Sequence, residues 1–155
     1  MDFLNIFTNA VLLIPACSWI IAQLMKAVIN LIVNKKFSLA RLFGDGGMPS
    51  GHSATVSALA TMVGLYKGFG SVEFAIAALF AIVVMHDALG VRRETGKQAM
   101  SIIKMAELLN DYFSEHDKHI KTDKLKVLVG HTPLQVVCGA LLGIAVSLVY
   151  HFLIK

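Results

Sequence analysis

The chain has 155 residues, 56% of them hydrophobic and 15% charged, against about 25% charged residues in a soluble domain. Its charges collect between long charge-free runs, the pattern of bilayer spans joined by polar segments, which excludes an ordinary soluble fold. The length fits a single domain over 1–155, and the formal charge of +4 reads as a cytoplasmic face or an anionic ligand, with no nucleic-acid partner.

The N-terminus, Met1-Asp2-Phe3, lacks the basic region of a cleavable signal peptide, so the first apolar stretch is expected to stay in the mature protein. Residues 3–25 carry no charge, and the first span is placed near 8–33, with Pro15 as a kink point and Lys26 snorkelling near one end. Four glycines and a proline within Gly44–Gly51 forbid a regular helix there. The run Ser53–Tyr66 is short and rich in Ala, Ser and Thr, which predicts a second span that packs closely and begins inside a protein cavity. Lys67-Gly68-Phe69-Gly70 reads as a tight turn. The third span follows over 71–90, with His86 and Asp87 near its far end.

Residues 98–115 have apolar positions at helical spacing and predict an amphipathic helix. The charged stretch 115–126 reads as solvated. The last span is placed at 132–153, within a run from Val127 to Ile154 free of Asp, Glu, Lys and Arg. Cys17 and Cys138 both fall in apolar segments and read as small packing residues, with no disulfide and no metal cluster. The expectation is an all-α fold: a polytopic membrane helical bundle of about four transmembrane helices plus an amphipathic interfacial helix.

Following the chain back and forth puts the 34–52 connection, the 90–131 segment and the start of the last span on one side. Both termini and the 67–70 turn fall on the other. Of the 14 Lys and Arg residues, only Lys67 and Lys155 lie on that second side, and Lys26 lies within a span. The positive-inside rule then makes the motif side cytoplasmic.

Three polar groups converge on the motif side. The first is Gly46-Gly47-Met48-Pro49-Ser50-Gly51-His52-Ser53. A glycine-rich turn opening into a helix presents free N–H groups at a positive dipole end, a ready anion site. Ser50 and Gly51 are candidate phosphate-binding residues there, and His52 can pass a proton to a leaving group. The plainer alternative is that Ser50 or Ser53 caps the helix and Pro49 starts it. The second group is Asp87 with Arg92, Arg93 and Lys97. Basic residues at a membrane end can be topology signals alone, but a carboxylate inside a span needs a partner or a cavity. An arginine fork suits phosphate. The third is Gly130-His131-Thr132-Pro133-Leu134-Gln135, whose histidine is either a nucleophile or base, or an interfacial residue beside a capping Thr132. His116 and His119 read as solvated surface, and His151 as interfacial.

The stretch Gly-Gly-Met-Pro-Ser-Gly-His-Ser-Ala at 46–54 resembles the type 2 phosphatidic acid phosphatase superfamily. Taken with Asp87-Ala88-Leu89-Gly90-Val91-Arg92-Arg93, Gly96-Lys97-Gln98-Ala99, Gly130-His131-Thr132-Pro133 and Gly139–Gly143, it is most similar to the branch called acid phosphatase/vanadium-dependent haloperoxidase-related. The resemblance covers nearly the whole chain. It implies that His131 attacks phosphorus, that His52 is the general acid, and that no metal or other cofactor is needed. The sequence departs from the superfamily pattern at three places. Lys36 precedes Arg41 by five positions and no proline follows Arg41; Leu125 stands where an arginine is usual; Gln135 stands where an aspartate is usual. Arg41, Arg92, Arg93 and Lys97 are then the candidate cations, and Asp87 and Gln135 the orienting residues. The expected activity is phosphomonoester hydrolysis on a lipid such as phosphatidate, phosphatidylglycerophosphate or a polyprenyl phosphate, in a bacterial plasma membrane. The competing expectations are a non-catalytic lipid-phosphate binder or transporter, and a structural membrane subunit. Four short spans enclose little volume, which favours a homodimer.

Overall fold

The computed structural model describes residues 3–35, 47–112 and 131–154, and within these it leaves out the side chains of Phe3, Leu4, Asn34, Arg92, Arg93 and Asp111. A 3₁₀ turn at Phe3–Thr8 leads into α1, Ala10–Asn34. Asn9 caps α1 by accepting from the Val11 N–H at 3.0 Å, and the helix continues through Pro15. It ends at Lys35, which takes a left-handed conformation and donates its N–H to the Leu31 carbonyl. Next come α2, Gly51–Lys67, and α3, Val72–Leu89, capped by Ser50 and Ser71. The final two helices are α4, Val91–Tyr112, and α5, Pro133–Val149, the latter running into a π-helical turn at Tyr150–Ile154.

Helix α2 sits at the centre and packs against α1, α3 and α5. Its small residues make this possible: Ser53, Ala54, Ser57 and Ala58 are buried. On α5 the facing stripe is Gly139, Gly143 and Ser147, spaced by four so that all three share one face. A Cβ on Gly139 would lie 3.0 Å from the Ser53 Cβ and closer still to the Ser50 carbonyl oxygen. Two hydroxyls stitch the contact: Ser57 Oγ donates to the Ala140 carbonyl at 3.0 Å, and Ser147 Oγ donates to the Ala58 carbonyl at 3.2 Å. Between helices in a bilayer, where no hydrophobic force holds them together, close backbone approach and hydroxyl bonds supply the attraction.

The outer helices show the complementary surface. Leu24, Val28 and Ile32 on α1, Ile76, Leu79 and Val83 on α3, and Val137, Leu141 and Ile144 on α5 are all exposed. Ala10–Val33, the stretch that begins at Val72, and Pro133–Ile154 are long and apolar enough to cross a membrane. With α2 enclosed among them, three to four helices span, and the protein is an all-α integral membrane bundle. At 17 residues, α2 is about 25 Å long and shorter than α1. Its first residue lies beside Trp19 and Gln23. Because α1 runs eleven residues beyond Gln23, α2 starts about 16 Å below the end of α1.

The structure departs from the sequence expectations at three points. Helix α4 begins at Val91, directly after Gly90, and not near 98; no proline interrupts 91–98, and Glu94 and Lys97 pair one turn apart on its surface at 2.6 Å. Gly96, Ala99 and Ala106 line its buried face, while Ile102, Met105, Leu108 and Tyr112 are exposed on the other side. Lys26 is 8% exposed, with its stem packed toward Gly47, and does not snorkel to a surface. Cys17 is exposed and not a packing residue; both it and Cys138 are free thiols.

Candidate active site

The chain turns into α2 through Gly47, whose φ of +94° is open to glycine and costly to residues with a Cβ. Ser50 is fully buried and caps the helix: its Oγ accepts from the Ser53 N–H at 3.3 Å and from the Ser53 hydroxyl at 3.0 Å. Its own N–H donates to the Gln135 carbonyl at 3.0 Å, which fastens the turn to the first turn of α5. His52 follows in the first turn of α2 and is half-buried. The N–H groups of this turn and the helix dipole favour an anion at this end.

His131 lies just before α5 and is 5% exposed. Its backbone N–H donates to the Ala88 carbonyl at the end of α3, 3.1 Å away. The first turns of α2 and α5 and the last turn of α3 are therefore tied together by main-chain bonds, and the His52 and His131 rings lie with centroids 6.4 Å apart, tilted 57° to each other. Gln135 sets the protonation pattern of His131. Its Oε1 accepts from the Thr132 N–H at 3.0 Å as half of a capping box, so the atom it presents is oxygen. The same oxygen lies 3.2 Å from His131 Nδ1. A carbonyl oxygen cannot donate, so Nδ1 carries the hydrogen, and Nε2 of the neutral ring keeps its lone pair.

A groove of about 680 Å³ leads away from His52 between α1, α2 and α3, lined by Ala16, Trp19, Ile20, Val56, Phe80 and Val84 together with His52 and Thr55. Its walls are apolar except near the histidine. Where the groove meets the start of α2, α1 presents a polar edge. Trp19, Gln23 and Lys26 share one face, and a Cβ on Gly51 would lie 3.3 Å from the indole Nε1 and 3.4 Å from the Gln23 amide nitrogen. Gln23 and Lys26 are both buried. The sequence reading gives Lys26 only a snorkelling role and does not single out Gln23. The available signal was their spacing: positions 19, 23 and 26 fall on one helical face of an otherwise apolar segment.

The remaining expected residues separate clearly. Asp87 is half-buried in the last turn of α3, next to the Ala88 carbonyl that holds His131. Arg92 and Arg93 occupy the first turn of α4, and their side chains lie outside the described residues. Lys97 is exposed, and its ammonium pairs with Glu94. Arg41, His116, His119 and Leu125 lie outside the described residues. His86 is exposed. His151 packs against Tyr66 with centroids 6.5 Å apart at the opposite end of the bundle. Among the described residues, no three of His, Cys, Asp and Glu gather closely enough to hold a metal ion.

A sequence profile described as Divergent PAP2 family matches residues 7–146. The chain belongs to the divergent PAP2 family. The match takes in α1, the Gly47–Ser53 turn, Asp87, Arg92, Arg93, His131, Gln135 and the Gly139–Gly143 stripe. This divergent PAP2 chain is also 41% identical over 152 residues to the uncharacterized membrane protein YuiD of Bacillus subtilis (strain 168), covering 94% of this chain and 96% of that protein. No solved structure matches it.

Proposed function

We propose that this protein is a membrane-embedded phosphatase that hydrolyses a phosphomonoester on a lipid through a phosphohistidine. The observation that carries this reading is the pair of neighbouring histidines at the N-terminus of α2, one with its Nδ1 hydrogen directed at Gln135, at the head of an apolar groove.

In the first step, the His131 Nε2 lone pair forms an N–P bond as the ester P–O bond breaks. His52, protonated, gives its hydrogen to the departing alkoxide. Gln135 holds Nδ1–H as positive charge develops on the His131 ring. In the second step, neutral His52 takes a proton from water, the water oxygen attacks phosphorus, the N–P bond breaks and inorganic phosphate leaves. Charge on the phosphoryl oxygens is met by the α2 N–H groups and by Arg92, Arg93 and Arg41. The groove takes the lipid chain; substrates of this shape include phosphatidate, phosphatidylglycerophosphate and polyprenyl phosphates. The excess of Lys and Arg on the motif side puts the site on the cytoplasmic face.

The test is direct trapping. Protein mixed with a lipid labelled in its phosphoryl group and quenched within one turnover should carry acid-labile, alkali-stable label, and His131→Ala should carry none. Label retained in His131→Ala rejects the assigned nucleophile.

A further inference from the structure

We propose that α4 lies on the bilayer surface at the motif end of the bundle, with Ile102, Met105 and Leu109 turned into the boundary between headgroups and acyl chains. This placement does not depend on the reaction assigned to the histidine pair. Helix α4 divides into three strips. Gly96, Ala99 and Ala106 are buried and Ile103 is half-buried, so this strip of mostly small residues faces the protein. At about 100° per residue, Val91, Ile102, Met105 and Leu109 form a second strip beside it, and all four are exposed. Lys97, Lys104 and Glu107 fall on the side of the helix opposite that second strip and are exposed as well. Met100 and Leu108 interrupt the charged side without making another apolar strip. The large apolar side chains that the fold leaves uncovered are thus separated from the charges, as in a helix lying in an interface.

Length and charge fix what covers the second strip. Helix α3 has 18 residues, about 27 Å, and the hydrocarbon core is about 30 Å thick, so α3 alone crosses it. Gly90, with ψ of −88°, ends α3, and α4 starts at the next residue, at the membrane boundary. Helix α4 is not a continuation of the span. The run from Val72 to Asn110 has 39 residues, about 58 Å, and α4 carries seven Asp, Glu, Lys and Arg among its 22 residues, a density that hydrocarbon does not accept. At that boundary the exposed strip continues the apolar surface that Ile76, Leu79 and Val83 of α3 turn to lipid. Arg92 and Arg93 add two positive charges in the first turn, at the depth of the lipid phosphates, where they complement an anionic leaflet. Docking there sets the depth of the corner between α3 and α4, to which His131 is tied through the Ala88 carbonyl.

The experiment places tryptophans along α4 of the full-length protein in vesicles of phosphatidylcholine and phosphatidylglycerol. Ile102→Trp, Met105→Trp and Leu109→Trp lie on the strip, and Lys104→Trp and Glu107→Trp lie opposite it. Trp19 is the single native tryptophan, and the unchanged protein supplies its signal for subtraction. Lipids brominated near the headgroup should quench the first three severalfold more than the last two, and acrylamide in the water should show the reverse order. Lipids brominated near the chain end should quench the first three less than those brominated near the headgroup. Acrylamide reaching all five positions equally would place α4 in water and overturn the proposal. Protection of the strip from both bromine and acrylamide would overturn it as well, because a protein, such as a second copy of this chain, would then be the occupant. Stronger quenching by the deep bromines would make α4 a buried span and reject the surface placement. The comparison runs across five positions, so it stands if one variant does not fold.

Discussion

Replacing Gly143 with alanine puts a methyl group where α2 already stands. The added carbon would lie 2.9 Å from the Ala58 nitrogen and closer still to the Ala54 carbonyl oxygen and the Ser57 hydroxyl. Carbon and oxygen in contact need about 3.3 Å, so α5 must move off α2 by about 1 Å. Backbone, not a flexible side chain, lies opposite, and the move stretches the Ser57–Ala140 and Ser147–Ala58 hydrogen bonds. Overpacking of this kind costs about 1–3 kcal/mol, and each interhelical hydrogen bond in a membrane protein contributes about 0.6 kcal/mol. The expected loss is about 2–4 kcal/mol, read as a shift in reversible unfolding in mixed micelles, followed by helical circular dichroism. Leu141→Ala, on the exposed face of α5, is the control and should lose less than about 1 kcal/mol because lipid replaces what is removed. A Gly143→Ala protein as stable as wild type would refute the close α2–α5 packing, and with it the way Ser50 and His131 are brought together.

Gln135→Leu should lower stability by about 1 kcal/mol through loss of the capping box and reduce kcat by about tenfold or more with KM little changed, because His131 loses the acceptor that fixes its tautomer. Gln135→Glu keeps both acceptor roles and adds a charge beside the forming imidazolium, so its kcat should equal or exceed wild type; a kcat as low as that of Gln135→Leu contradicts the orienting role. Ala16→Phe fills the groove, and should lower kcat/KM for long-chain lipid phosphates about tenfold more than for a short-chain phosphomonoester; equal losses for both would show that the chain does not lie there.

Much of the bundle is legible in the sequence because charge and hydropathy alone place α1, α3 and α5, and the Ala/Ser/Thr-rich run at 53–66 announces a helix that packs against helices and not lipid. The turn before α2 is legible for a similar local reason: glycine, proline and serine in that order leave few conformations open. Tertiary placement is less visible. Lys26 reads as a snorkelling lysine because nothing in α1 reveals that α2 begins about three turns below the α1 end, so that the turn at Gly47 packs against the lysine stem. The start of α4 is placed late because the helical apolar spacing becomes visible only from 98, while the Glu94–Lys97 pair and the absence of proline let the helix form from Val91. Gln135 looks like a weak substitute for a carboxylate until the capping box shows which of its atoms faces His131.

The most direct test of the account is phosphate release by the purified protein from a panel of lipid phosphates, with His131→Ala, His52→Ala and Arg92→Ala beside it. The account predicts release from at least one lipid phosphate, falling by about 10⁴-fold or more in His131→Ala and strongly in the other two. No release from any lipid, with tight binding retained, would contradict it and make the protein a lipid-phosphate binder or transporter.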